Sequence, residues 1–341
     1  MIIRSRAPVR ISFGGGGTDL SPYCDNYGGL ALNTTINKYV YITLIPNETN
    51  KMKLVSIDYR KTSEFNSIND IKFGDDFDLV KAVIKLMKPD YGFDLIIRSD
   101  IPPNTGLGSS GSVSVALIGA FNHLRTEDKL KVYQIAELAY KVESEILCNV
   151  SGRQDQYAAA YGGFNYIEFN KDDFVRVNKI EVDRSVKYEL EKHLVLGFLG
   201  SRGKSGDIQK MLVDQKSSVR EENTKILHDI KELCNKMYTS ILNKDLDLFG
   251  DLLDRSWNNK RKLSDLISND RIDTIYKIVK DVGVIGGKIS GAGGGGCMIF
   301  FCESDKEHFV ESKLVSLGVK LIPFSFDYTG LKTWSVHRRC K

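Results

Sequence analysis

The chain has 341 residues, 42% apolar and 27% charged, which is ordinary for a globular protein and long enough for two modest domains or one large one. Its formal charge of +4 is the small difference between 48 basic and 44 acidic residues, with no basic run of the kind that marks a nucleic-acid partner. There is no N-terminal apolar segment with a cleavage site, and runs such as 297–302 are too short to cross a bilayer, so no membrane partner and a cytoplasmic location are expected.

The first half opens on short strand-like runs at residues 2–7, 10–13, 30–35 and 39–46, whose apolar and β-branched residues are broken by Gly, Asn and Pro. A helix over 77–87, a strand over 93–98, a glycine and serine loop, helices over 110–124 and 128–147 and a strand over 164–169 follow. Residues 171–192 are charged and change character. Beyond them a strand at 194–199 leads into helices over 217–243, 246–263 and 271–282. Strands at 284–289 and 297–301, a helix over 305–317 and a strand over 320–326 complete an α+β lobe. The shift in composition predicts two domains, 1–180 and 181–341. The six cysteines show neither a CxxC pair nor zinc spacing and read as reduced, mostly buried thiols.

Four constellations carry chemistry. In PPNTGLGSSGS, the loop residues Asn104, Thr105, Gly106, Leu107, Gly108, Ser109 and Ser110 can bring backbone N–H groups to a polyphosphate, and the helix that follows adds its positive end. The same segment also reads as a strand-to-helix turn with serine caps, and no GK[ST] follows to make it a Walker loop. Glu143, late in a helix, and Asp155, after the 151–154 turn, suit a metal ligand and a group that orients or deprotonates an acceptor hydroxyl. Taken alone, they equally suit a solvated helix residue and an N-cap.

In RISFGGGGTD, Gly15, Gly16, Gly17 and Thr18 permit close approach of a polyhydroxylated ligand, Asp19 can accept hydrogen bonds from its hydroxyls, and Arg10 can stabilise transferring charge. A glycine-rich hairpin with a turn aspartate is the plainer alternative. GGKISGAGGGGC, which includes Gly293, is expected to pack beside the phosphate loop and to border the substrate, unless it is a flexible hinge. No GxGxxG joins a first strand to a helix, which sets aside a dinucleotide-dependent oxidoreductase.

In that order, RAPVRISFGGGGTDL, PPNTGLGSSGS and GGKISGAGGGGC resemble the three motifs of the galactokinase, homoserine kinase, mevalonate kinase and phosphomevalonate kinase (GHMP) superfamily, over almost the whole chain. The resemblance implies a two-domain α+β fold, the N-terminal domain like domain 2 of ribosomal protein S5 and the C-terminal one ferredoxin-like, with ATP between them. It further implies Mg²⁺ on Ser110 and Glu143, ATP phosphates around residues 104–110, Asp155 as catalytic carboxylate and Arg10 beside the transferring phosphate.

The SGRQD spacing matches the galactokinase type and favours a sugar acceptor. Glycines stand where galactokinases carry GEH, which argues against galactose, and Gly111 replaces the usual alanine after the double serine. SFGGGGTDLSPY, GGLALNTTINKYVYI and SGRQDQYAAAYGGFN look most like the heptose 7-phosphate 1-kinases, which implies phosphorylation of a sugar phosphate at its anomeric hydroxyl. Arg153, Arg202 and Lys204 are then the expected contacts for the substrate's own phosphate, with a solvated surface loop as the alternative for the last two. A kinase for an unphosphorylated sugar such as fucose, and a retired kinase fold acting as a sensor, remain the competing readings; the oligomeric state is open, a homodimer included.

Overall fold

A computed structural model of the chain describes residues 1–201, 210 and 217–337. Two long antiparallel strands, β1 (Ile2–Gly14) and β2 (Gly29–Asn47), form its spine. Each joins two runs that the sequence presents as separate. In β1 the interruption at Pro8 is absorbed by a bulge between Pro8 and Val9, where a missing N–H costs no ladder bond. A second register shift, between Ser12 and Gly14, ends the pairing where the glycine hairpin begins.

Around this pair the first sheet adds β3 (Met52–Ser56), β4 (Lys61–Phe65), β5 (Gly92–Ser99), β6 (Phe164–Phe169) and β7 (Val175–Lys179). The path runs β4, β3, β5, β2, β1, and all pairs are antiparallel except β3 with β5. A second, four-stranded antiparallel sheet holds β8 (Leu194–Phe198), β9 (Val284–Ile289), β10 (Cys297–Cys302) and β11 (Lys320–Leu321). The chain end then returns to the first sheet: β12 (Phe326–Asp327) pairs with β2, and β13 (Lys332–Val336) pairs with β1. A division at 180/181 therefore parts these last strands from the sheet in which they pair.

Alternation on β5 turns Phe93, Leu95 and Ile97 into the core and leaves Asp94 and Arg98 outside it. On that inner face lie helices α1 (Tyr23–Tyr27), α2 (Asp78–Met87), α3 (Ser109–Leu124), α4 (Val132–Lys141) and α5 (Gln154–Tyr161), with α1 contributing only Cys24. α3 is buried along most of its length, from Gly111 to Phe121, so it reads as apolar on nearly every side. The C-terminal lobe carries α6 (Arg184–His193), α7 (Ser217–Leu242), α8 (Leu246–Lys262), α9 (Asp270–Lys280) and α10 (Glu307–Ser316). A separate cluster around Trp257, Ile275, Met298 and Phe300 fills this lobe.

Between the sheets runs a continuous apolar seam. Val9, Ile11 and Phe13 of β1 and Leu32 of β2 pack with Met237 of α7, Phe249 and Leu253 of α8, and Ile299 and Phe301 of β10. Phe13 lies edge-on to Phe249, with ring centroids 5.3 Å apart, and stacks on Phe164 at 6.3 Å. The seam makes one unit of the two lobes and fixes the distance between the glycine segments above it. We expect Phe13→Ala to cost about 3–5 kcal/mol. Urea unfolding should then show a lower midpoint in a single transition; two separated transitions would mean that the seam does not couple the sheets.

Candidate active site

Arg10, on the strand that leads into the first glycine motif, is 3% exposed and reaches Asp155 and the other two glycine segments. Its Nε donates to Asp155 Oδ1 at 2.7 Å, and a terminal nitrogen lies 2.6 Å from the same oxygen. The other terminal nitrogen donates to Gly106 O at 2.5 Å and to Ser290 Oγ at 3.2 Å, and the backbone N–H of Arg10 donates to Leu107 O at 2.9 Å. One side chain of β1 thus holds the phosphate loop, the start of α5 and the end of β9.

The loop itself folds as the glycines dictate. Asn104, Gly106 and Gly108 all have positive φ, which turns successive N–H groups toward one side, and Gly108 leads directly into α3 with Ser109 and Ser110 in its first turn. Thr105 O accepts the N–H of Cys297 at 2.7 Å, and a Cβ on Gly296 would lie 2.5 Å from that oxygen. The third glycine segment is therefore packed against the phosphate loop, as its composition predicts, and is no free hinge. Gly293, at its middle, is pressed on Ile267, with a Cβ site 2.9 Å from that residue's backbone; it packs within the C-terminal lobe.

At Gly111, α3 comes closest to α5. A Cβ there would lie 2.9 Å from Asp155 Cβ and 3.0 Å from Gln156 N, so the usual alanine would need the two helices to move apart, and glycine is the residue that fits. Glycine at this position lets the Asp155 segment close on the phosphate loop.

Glu143 sits in a π-helical turn, Val142–Ile146, that continues α4, and is 7% exposed. Its Oε1 accepts from Gln156 Nε2 at 2.8 Å. Burial first, and then the charge of Asp155, push its carboxyl up to about 7, against the hydrogen bonds from Gln156 and Ser110. It is neither solvated nor a cap. A buried carboxylate beside a serine hydroxyl at a phosphate loop is an oxygen donor set that fits Mg²⁺, a cation that takes one or two carboxylates and draws its other ligands from phosphate and water.

Asp19 is 4% exposed at the foot of the glycine hairpin. Its Oδ1 accepts from Gly17 N at 3.1 Å, and its Oδ2 accepts from the backbone N and the Nε2 of Gln154 at 3.4 and 3.3 Å. Burial, followed by the charge of Asp155, raises its carboxyl above the ordinary range. A Cβ on Gly152 would fall 2.1 Å from Asp19 Oδ2, the physical reason for glycine in SGRQD.

Other expected substrate contacts are placed differently. The Thr18 hydroxyl is fully buried, donating toward Gly15 O and Leu30 O at 2.7 and 2.8 Å and accepting from Leu30 N at 2.9 Å, so it locks the hairpin. Gly15 has φ of 78° and a Cβ site 1.9 Å from Leu30 O; it too serves the turn. Arg153 is engaged on α4 and the β6–β7 turn: it pairs with Asp173 at 2.6 Å, and its guanidinium lies 4.6 Å from the centroid of the Tyr140 ring. Arg202 and Lys204 lie outside the described residues.

Several site residues escape the sequence reading. Ser290 is visible only as part of a glycine-rich run. Lys288, 2% exposed, donates to Ser12 O at 2.7 Å; burial, then the nearby Lys260 and Arg10 charges, hold its ammonium well below the ordinary lysine range. A cavity of about 220 Å³ opens beside the loop, lined by Ser56, Asp58, Tyr59 and Ser99 together with Asn104 and Ser110. Its remaining walls come from β3, β5 and α2, whose residues carry no motif.

Comparison with known proteins agrees with this geometry. Residues 78–163 match the GHMP kinases N terminal domain, and residues 230–320 match the GHMP kinases C terminal domain. A D-glycero-alpha-D-manno-heptose 7-phosphate kinase of Campylobacter jejuni is 35% identical over 340 residues, 98% of this chain and 99% of the relative. The crystal structure of a D-glycero-D-manno-heptose 1-phosphate kinase from Bacteriodes thetaiotaomicron superposes with a TM-score of 0.81 at 31% identity, covering 98% of this chain and 99% of that one. A mevalonate kinase of Pyrococcus horikoshii is 26% identical over 314 residues, 87% of this chain and 89% of the relative. With both halves matched and a relative aligned end to end, the chain belongs to the GHMP kinases, ATP-dependent small-molecule kinases of two-domain α+β fold.

Proposed function

We propose that the protein is a cytoplasmic sugar kinase that transfers the γ-phosphate of ATP to the anomeric C1 hydroxyl of D-glycero-D-manno-heptose 7-phosphate, forming the 1,7-bisphosphate. The observation that carries this reading is the meeting, at one point, of the phosphate loop, the Arg10–Asp155 pair and the buried Asp19. Identity of 35% to a heptose 7-phosphate kinase supports the acceptor.

In this reading the N–H groups of residues 104–110 and the start of α3 hold the phosphates, and the cavity walled by Ser56, Asp58 and Ser99 takes the nucleoside. Asp155 accepts a hydrogen bond from the C1 hydroxyl, aims its oxygen at the γ-phosphorus and receives its proton. Arg10, held on Asp155 and Gly106 O, sets the carboxylate's direction and offers positive charge where the phosphoryl group passes. Asp19 accepts from a second hydroxyl of the sugar. Ser110 and Glu143 would hold Mg²⁺, which when bound neutralises charge on the nucleotide phosphates.

A kinase for an unphosphorylated sugar is the second reading, and one observation favours it: Arg153, an expected contact for the substrate's own phosphate, already has a carboxylate partner in Asp173.

Asp155→Asn should lower turnover by roughly a hundredfold or more with the ATP Michaelis constant nearly unchanged, measured by coupled ADP release; near wild-type turnover would remove Asp155 from the chemistry. Glu143→Gln should raise the Mg²⁺ concentration for half-maximal activity about 10–100-fold, and an unchanged Mg²⁺ dependence would exclude Glu143 as a ligand. On a panel of aldoses and aldose phosphates, heptose 7-phosphate should show the highest kcat/KM, with product NMR locating the new phosphate on C1. A preference for free heptose or fucose would establish the second reading instead.

A further inference from the structure

We propose that Gln154 is a specificity-determining residue for the acceptor: with Ser12 and Asp19 it forms a polar wall that takes sugar hydroxyls in the space beside Gly16. The proposal rests on the reading that a sugar is the acceptor, and it holds whether or not that sugar carries a phosphate.

Gly16 is a glycine that the fold does not require. Among the described residues a Cβ on it would meet only Gln154 Nε2 at 3.6 Å and Ser12 Oγ at 3.7 Å, both ordinary contacts, and its φ lies outside the left-handed range. Its neighbours differ: a Cβ on Gly15 would collide with Leu30 O, and one on Gly152 would collide with Asp19. Neither backbone conformation nor crowding therefore explains the absent side chain at position 16. What the absence does leave is room, faced by an amide and a hydroxyl.

Both of those groups are short of a partner. Ser12 is 2% exposed and Gln154 is 8% exposed, and Ser12 Oγ and Gln154 Oε1 have no hydrogen-bond partner among the described residues. Buried polar atoms are nearly always paired, and an unpaired oxygen on each of the two side chains that face Gly16 is most simply completed by a ligand. The direction of the Gln154 amide is set by Asp19. Because Nε2 donates to Asp19 Oδ2 at 3.3 Å, Oε1 is left as the acceptor end of that amide. The wall thus presents a carboxylate, a carbonyl oxygen and a hydroxyl, a pattern that suits neighbouring hydroxyls of a sugar and offers nothing to an apolar acceptor.

Gln154 immediately precedes Asp155, the residue placed at the reacting hydroxyl, and the charge of Asp155 acts directly on Asp19. The hydroxyls read by the wall are therefore those on carbons close to the phosphorylated one. A purely structural Gln154, serving only as a strut for Asp19, is the competing account, and Gly16 separates the two.

The test is steady-state kinetics of Gln154→Met and Gly16→Ala on the best acceptor of the sugar panel, with thermal melts to verify folding. Gln154→Met keeps the side-chain length and removes its polar atoms; Gly16→Ala fills the space and touches no hydrogen bond. Each should raise the acceptor KM roughly 10–100-fold while leaving the ATP KM within about twofold. Gln154→Met should also discriminate less than wild type against at least one single-deoxy analogue of the acceptor. An acceptor KM within about twofold of wild type for Gly16→Ala, or undiminished discrimination by Gln154→Met against every deoxy analogue, overturns the proposal. Wild-type preference for a sugar other than heptose phosphate would instead overturn the substrate assignment, and the two variants would then be read on that sugar.

Discussion

The buried guanidinium of Arg10 is the constraint on which the site depends. A charged group taken out of water needs its full set of partners, and Arg10 finds them on three separate segments: the Asp155 carboxylate, the Gly106 carbonyl and the Ser290 hydroxyl. Its donors sit in a rigid fork, so satisfying them fixes the relative positions of the phosphate loop, α5 and β9. A lysine at this position would supply one point charge and lose the planar geometry. The convergence of remote glycine motifs follows from this one residue together with the apolar seam beneath it.

Around that pair the charges are unevenly matched. Asp19 and Glu143 are both buried, and both are pushed toward their neutral forms by burial and then by the charge of Asp155, while Arg10 is already committed to Asp155. Lys288 does not redress the balance. Burial and the neighbouring positive charges of Lys260 and Arg10 disfavour its ammonium form, and its Nζ is used to tie β9 to Ser12 O of β1. An arriving divalent cation on Glu143 and donating hydroxyls at Asp19 would relieve these two carboxylates in different ways. In the proposed reading, the first belongs to the nucleotide and the second to the acceptor.

Much of this was legible in the residues, and the limits have physical causes. The α+β class follows from the order of strand-like and helical runs, and the contact of the third glycine segment with residues 104–110 follows from glycine spacing, because backbone approach leaves a compositional trace. Strand continuity did not: Pro8 reads as a break, yet a bulge carries β1 through it. Strand β4 is polar apart from Phe65, β3 and β7 are only five residues long, and β13 has most of its residues exposed, so each leaves a weak period. The cavity beside the loop leaves no trace in the sequence for a related reason: Ser56, Asp58 and Ser99 are ordinary residues whose neighbourhood exists only once β3 lies parallel to β5. Arg153 reads as an available cation from its sequence neighbours alone, because its partner Asp173 is brought beside it from the turn between β6 and β7. Thr18 and Gly15, read as ligand contacts, instead build the turn that carries Asp19.

Glycine in this protein has two distinct meanings that only the packing separates. At Gly111, Gly152 and Gly296 a single methyl group would strike Asp155, Asp19 or the phosphate loop, so these positions bring functional segments within contact of one another. Such close approach leaves little freedom in the relative placement of Asp19, Asp155 and residues 104–110, and a site held this way loses little entropy in orienting the acceptor toward the phosphate. At Gly16 the same residue type leaves a space that nothing among the described residues fills. A rigid frame with one unfilled polar recess divides the work: the frame sets the line of transfer, and the recess decides which hydroxylated molecule can lie along it.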